Sequence, residues 1–161
     1  MKHAAPLLTG GGLFGGQMAY RLFDFSTDIE DVSCGAFSYA SMPFATRNLP
    51  KPLLGVLERM AEGLREPRVT FRCRDLVPGQ TFGHGRWHRD GQEVKEEIHR
   101  LLTINGTPTE GWGGVILDAG VVWEYNGEYV HRARPATVAC KRFILRVSQT
   151  EMIYRNHWST L

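Results

Sequence analysis

The sequence predicts a mostly β fold: a barrel or two-sheet jelly roll carried by one or two supporting α-helices. Short runs rich in β-branched and aromatic residues follow one another from Arg68 onward, separated by turn residues. One amphipathic stretch precedes them. At 161 residues the chain fits one domain with its own core and needs no disulfide framework.

The first fifty residues are glycine-rich and weakly periodic. GGGLFGG at 10–16 lacks both the GK[ST] ending and the preceding strand of a phosphate loop, and reads as a flexible arm or hinge. Met18–Phe25 is a candidate strand. Between Pro50 and Pro67, Leu53, Leu57, Met60 and Leu64 recur on one helical stripe, so a core-facing helix is expected there. The later candidate strands are Val69–Arg74, Gly85–Asp90, Ile98–Asn105, Val115–Leu117, Val121–Tyr125, Glu128–Arg132 and Arg142–Gln149. Asn126-Gly127 stands between two of them and predicts a two-residue hairpin. We therefore expect a single domain over 1–161, with 1–50 forming an N-terminal arm or lid with supporting elements and 68–150 the β core.

Composition excludes little. Nineteen Lys and Arg against seventeen Asp and Glu give a formal charge of +2, without the basic excess of a typical polyanion binder. Cys34, Cys73 and Cys140 are widely spaced and predict three free thiols in a reducing cytoplasm. No stretch approaches the roughly 20 apolar residues of a membrane span, and the glycines at 10–12 interrupt any signal-like run. A cytoplasmic protein without membrane attachment is the expectation.

His88-Arg89-Asp90 carries the chemistry. In a strand, residues i and i+2 share a face, so an imidazole and a carboxylate converge. His131, on a separate strand, is the third candidate ligand. Two histidines and one carboxylate leave other metal positions open, the arrangement of non-haem iron oxygenases. Zinc more often recruits thiolates, and no cysteine has the spacing. His84 is a candidate extra ligand, His99 a strand-face residue, and His3 and His157 are terminal. Arg142 and Arg146 lie 11 and 15 residues beyond His131 and share a face with Ile144, opposite Phe143, Leu145 and Val147. Two inward guanidiniums are costly unless an anion meets them. The alternative is a solvent-exposed face.

His88-x-Asp90, His131 and the downstream arginine together resemble the Fe(II)/2-oxoglutarate-dependent dioxygenase superfamily over roughly Val69–Gln149. Ile98–Asn105 stands where that family has its next core strand, and His131-Arg132-Ala133-Arg134-Pro135 is similar to its distal-histidine run. The resemblance implies a double-stranded β-helix over 68–150, with Fe(II) on His88, Asp90 and His131. It also implies 2-oxoglutarate on Arg142, with Arg146 competing for the role and Thr103 as a second contact. The implied reaction is oxidative decarboxylation of 2-oxoglutarate to succinate coupled to hydroxylation of an unactivated C–H bond.

The clustered Arg86, Arg89, Arg132 and Arg134 point to an anionic small molecule or nucleotide-like substrate. Tyr125, Tyr129, Trp87, Trp112 and Trp123 are candidates for an aromatic lining, and Gly10–Gly16, Met42–Asn48 and Gly106–Gly114 for lids. Two alternatives stay open. A metal-binding cupin without 2-oxoglutarate (isomerase, dioxygenase or sensor) fits Leu76-Val77-Pro78-Gly79 and Gly120, with Glu93 as its glutamate. A metal-free binding module is the other.

Overall fold

A computed structural model describes residues 18–25, 39–46, 49–83, 85–91 and 96–150. Nine strands and one α-helix lie among them. They are β1 (Ala19–Asp24), β2 (Tyr39–Pro43), α1 (Leu54–Ala61), β3 (Arg68–Leu76), β4 (Ile98–Ile104), β5 (Thr109–Gly111), β6 (Val115–Leu117), β7 (Val121–Asn126), β8 (His131–Ala133) and β9 (Cys140–Gln149). They form a six-stranded sheet in the order β1-β7-β4-β9-β3-β2 and a three-stranded sheet in the order β6-β5-β8. Every pairing is antiparallel. The mostly β class is therefore as expected.

The alternation along β9 explains the layering. Phe143, Leu145 and Val147 turn to one face of the large sheet, where they meet Val69 and Phe71 of β3 and Leu102 and Ile104 of β4. Helix α1 covers that face with Val56, Leu57 and Met60, and Leu53 joins from the turn before it. Burying such an apolar stripe supplies most of a short helix's stability, because eight residues alone fall well below the roughly 12–15 needed in water. The helix is shorter than the Pro50–Pro67 pattern suggests: Lys51–Leu53 is a 3₁₀ turn, and at Gly63 the chain enters left-handed backbone, φ +76°. Leu64 still packs against the same core after the helix has ended.

The other face of the large sheet meets the small sheet. Leu101 and Tyr125 pack there with Leu117 and Tyr129, and Ala133 of β8 packs with Leu76 and Phe82. Both chain ends of the large sheet come from the first fifty residues: β1 pairs with β7 and β2 with β3. Of the lid candidates, Phe44 packs against the helix-side core, and Gly10–Gly16 lies outside the described residues.

Three expectations need correction. Asn126-Gly127 does not make a two-residue hairpin, because β7 and β8 belong to different sheets. Asn126 instead opens a turn: its side-chain Oδ1 accepts from the Glu128 N–H at 3.1 Å and its carbonyl from the Tyr129 N–H at 3.1 Å. An Asn-Gly dipeptide with both residues in left-handed backbone is found instead at Asn105-Gly106, φ 56° and 73°. Gly85–Asp90 is not a strand; His88 alone bridges to His131. Finally, Cys73 is disulfide-bonded while Cys140 is free. Sequence spacing hides such proximity, and the bond removes the support that three thiols lent to a reducing compartment. No described helix is long and apolar enough to cross a membrane.

Leu57 is fully buried between helix and sheet. Leu57→Ala should lower the unfolding free energy by about 3 kcal/mol, read from the urea midpoint at unchanged slope.

Candidate metal centre

Between the two sheets lies a cavity of about 410 Å³, walled by β3, β4, β7 and β9 on one side and by β5 and β8 on the other. His88, Asp90 and His131 all face it. One ligand atom from each can be chosen so that all lie within 4.8 Å of one another. Atoms bound to a first-row cation at about 2.1 Å stand roughly 3–4 Å apart around it. Here His131 Nε2 is 3.2 Å from one oxygen of Asp90, and His88 Nε2 is 4.0 Å from the other.

Backbone pairing brings the two histidines together. The His88 N–H donates to the His131 carbonyl and the His131 N–H to the His88 carbonyl, both at 3.0 Å. The rings then sit with centroids 4.6 Å apart. Each ring also has its orientation fixed from behind. His88 Nδ1 lies 2.8 Å from the Arg86 carbonyl and His131 Nδ1 3.2 Å from the Tyr129 carbonyl. A carbonyl only accepts, so each Nδ1 carries a proton and each Nε2 is the ring nitrogen turned to the cavity. His131 Nε2 and the Asp90 carboxylate then face each other, and a shared cation, a proton or a metal ion, suits the pair. The donor set is therefore one that could hold a metal.

Asp90 is nearly fully buried. Burial alone would raise its pKa, but Arg146 and His131 outweigh it and hold the carboxyl well below the usual range. Arg146 forms an ion pair with one carboxylate oxygen, and the Tyr125 hydroxyl donates to the other at 2.7 Å. Burial and the adjacent Asp90 push the Tyr125 phenol well above its ordinary value, so it remains a donor. A metal would therefore share Asp90 with groups already placed on it.

The sequence-proposed arginines both turn inward, but they occupy different places. Arg146 lines the cavity. Arg142 is completely buried beside it, donating through Nη2 to Thr109 Oγ1 at 3.1 Å, and Thr109 does line the cavity. The Nε and Nη1 of Arg142 have no hydrogen-bond partner among the described residues. Burial lowers its pKa to about 10, which leaves it cationic at neutral pH. Thr103 is buried nearby in sequence register, opposite Ile144 of β9, and its hydroxyl has no hydrogen-bond partner among the described residues. An interior guanidinium with two idle donor atoms fits an anion better than it fits an apolar core.

His84 lies outside the described residues, as do His3, His157 and Glu93. His99 is buried, 2.8 Å from Ser148 Oγ through Nδ1 and 3.7 Å from Glu97 through Nε2. Among the aromatic candidates, Tyr125 lines the cavity and Tyr129 lies parallel to His131, centroids 6.0 Å apart. Trp87 and Trp112 pack edge-to-face at 5.1 Å, with Arg132 over Trp87 and paired to Glu110. Trp123 instead donates to the Asp118 carbonyl. Sequence reasoning missed Arg72, Thr109 and the bond from Tyr125 to Asp90. The first was legible: Val69, Phe71 and Cys73 alternate with Thr70, Arg72 and Arg74, placing an arginine on the face opposite the apolar one. Thr109 sits on a three-residue strand whose sequence, Thr-Glu-Gly, carries no β signal.

No family model, curated protein or solved structure matches the chain.

Two predictions test the support of the site. A Cβ at Gly111 would overlap the Tyr129 hydroxyl, and Gly111 lies opposite His131 in the β5–β8 ladder. Gly111→Ala should displace Tyr129 and weaken Mn(II) binding at least tenfold by calorimetric titration, in line with losses at groups that orient metal ligands. Burial, aided by Arg146 and His131 and opposed by Asp90, pushes the His99 pKa from 6.5 down to about 4. The unfolded chain therefore binds the extra proton in that window. The contribution, roughly 3 kcal/mol at most, is complete above pH 6.5 and lost as pH falls towards 4. Urea melts across this range should show a shallower pH slope for His99→Gln than for the parent chain.

Proposed function

We propose that the chain is an Fe(II)- and 2-oxoglutarate-dependent oxygenase, and that its two facing sheets are the halves of a double-stranded β-helix. The observation that carries this reading is the convergence of two imidazole Nε2 atoms and one carboxylate on a partly enclosed cavity, with both Nδ1 atoms tied to backbone carbonyls. Two histidines and a carboxylate on one side of an ion leave the opposite positions for exchangeable ligands, the pattern of non-haem iron oxygenases.

In this reading His88, Asp90 and His131 hold the iron, which when bound supplies the oxygen chemistry. Arg142 takes the far carboxylate of 2-oxoglutarate. Its Nε and Nη1 have no hydrogen-bond partner among the described residues and remain as cationic donors for an anion, and Thr109 and Thr103 are the hydroxyls on hand to complete that contact. Arg146 acts at the metal end: it keeps Asp90 ionised and fixes the carboxylate's direction. Tyr125 does the same from the other oxygen through a donated proton that it retains. The two sheets exclude water from the space between them and hold the substrate's C–H bond beside the ion. Hydroxylation of a small molecule is the reaction class.

Adding Fe(II) and 2-oxoglutarate without air should produce the weak visible charge-transfer band of a chelated 2-oxo acid. Asp90→Ala should abolish it. Arg142→Ala should weaken 2-oxoglutarate binding about tenfold or more, the value of a lost charge-assisted pair. Iron bound without the band would favour a metal cupin, and no bound iron a metal-free module.

A further inference from the structure

The backbone bonds between His88 and His131 stop short of Asp90, which lies two residues further along the chain. There the chain turns at once: Gly91 is in left-handed backbone, φ +68°. The carboxylate of Glu97 lies directly against that glycine. A Cβ at Gly91 would overlap both oxygens and the carbon of the carboxyl group, so only glycine fits the position. Glu97 is 4% exposed, and a carboxylate is costly to bury unless partners meet it. Its Oε1 accepts from the Thr150 hydroxyl, and its Oε2 stands 3.7 Å from His99 Nε2. Glu97 immediately precedes β4 and Thr150 immediately follows β9. The main chain at Asp90 is thereby tied to the large sheet, whereas His88 is tied to the small one through His131.

The same buried cluster reaches the side chain of Asp90. His99 lies opposite Ser148 in the β4–β9 ladder, its Nδ1 2.8 Å from the Ser148 hydroxyl. In the β4–β7 ladder it lies opposite Tyr125, with ring centroids 5.5 Å apart. Tyr125 donates to Asp90. One end of the large sheet therefore grips Asp90 twice, through Glu97 and Gly91 at the main chain and through His99 and Tyr125 at the carboxylate. Glu97 stands outside the group of atoms able to share one ion, so its effect is on position.

We propose that Glu97 is a positioning residue for the metal centre: by its contact with Gly91 it fixes the chain at Asp90 and sets where the carboxylate meets the two imidazoles. This rests on the metal-binding part of the reading above and not on 2-oxoglutarate. Ligands drawn from separate segments grip an ion well only when their spacing is set before it arrives.

The test titrates the full chain with Mn(II) calorimetrically, and urea melts show that each variant is folded. Glu97→Ala should weaken Mn(II) binding at least tenfold, the usual loss for a group that orients a metal ligand. Glu97→Gln keeps the bulk and an acceptor for Thr150, and should restore most of that loss. Leu57→Ala, on the far face of the large sheet, is the control for lowered stability and should leave Mn(II) affinity unchanged. Gly91→Ala should weaken binding as Glu97→Ala does. In the double variant the two losses should fall well short of their product, because both act through one contact. If Glu97→Ala does not fold, Thr150→Val decides the matter and should weaken binding severalfold. Unchanged affinity in the Glu97 and Thr150 variants, losses at Gly91 and Glu97 that multiply in full, or an equal loss in Leu57→Ala would each overturn the proposal. A parent chain that binds no Mn(II) would overturn it together with the oxygenase reading. Mn(II) binding that depends on Glu97, in a protein without the Fe(II)–2-oxoglutarate band, would sink the oxygenase reading and leave the role of Glu97 standing.

Discussion

Two backbone hydrogen bonds between His88 and His131 hold the candidate site together. They fasten an irregular segment to the edge of the three-stranded sheet, and neither histidine would meet the other without them. Once they form, the remaining geometry follows from short-range chemistry. Asp90 lies two residues beyond His88 and falls within reach of both rings, and the carbonyls of Arg86 and Tyr129 turn the imidazoles so that Nε2 faces inward. Such carbonyls do for histidine ligands what a second layer of hydrogen bonds does in metal sites generally: they choose the tautomer and remove rotational freedom before an ion arrives.

The large sheet divides labour between its faces. One face is apolar and takes α1; the other carries Arg72, Arg142 and Arg146 within the same two strands that build the apolar core. This is expensive in electrostatic terms, and the helix-side packing supplies the rigidity that keeps those side chains from escaping to water. Arg142 shows the result most clearly, being wholly interior with two donor atoms unmatched among the described residues. Buried polar groups left incomplete are rare in folded proteins and usually mark a place where something else binds.

How much of this was legible in the chain depends on whether local pattern or tertiary pairing decides the outcome. The stripe of Leu53, Leu57 and Met60 and the alternation of Arg142–Val147 are local, and both faces came out as the periodicity implied. His88 and Asp90 meet as expected, although the segment is not a strand; spacing alone was enough. The Asn126-Gly127 turn failed because its flanking strands find partners elsewhere: β7 pairs with β1 and β4, while β8 pairs with β5. Thr109 and the Tyr125–Asp90 bond depend on which sheet faces which, and a single sequence does not encode that as a motif. Cys73 belongs to the same class, since cross-linking depends on distance in space.

The contact of Arg146 with Asp90 bears on how the polypeptide matures. A bare carboxylate in the interior would make folding wait for its ion, as in small zinc modules that stay unfolded without metal. Here a guanidinium and a phenol already satisfy the acid, and both imidazoles lie against backbone carbonyls, so the interior carboxylate has partners without an ion. A metal ion arriving there would exchange partners at a finished site, and its affinity would depend on how readily Arg146 yields Asp90.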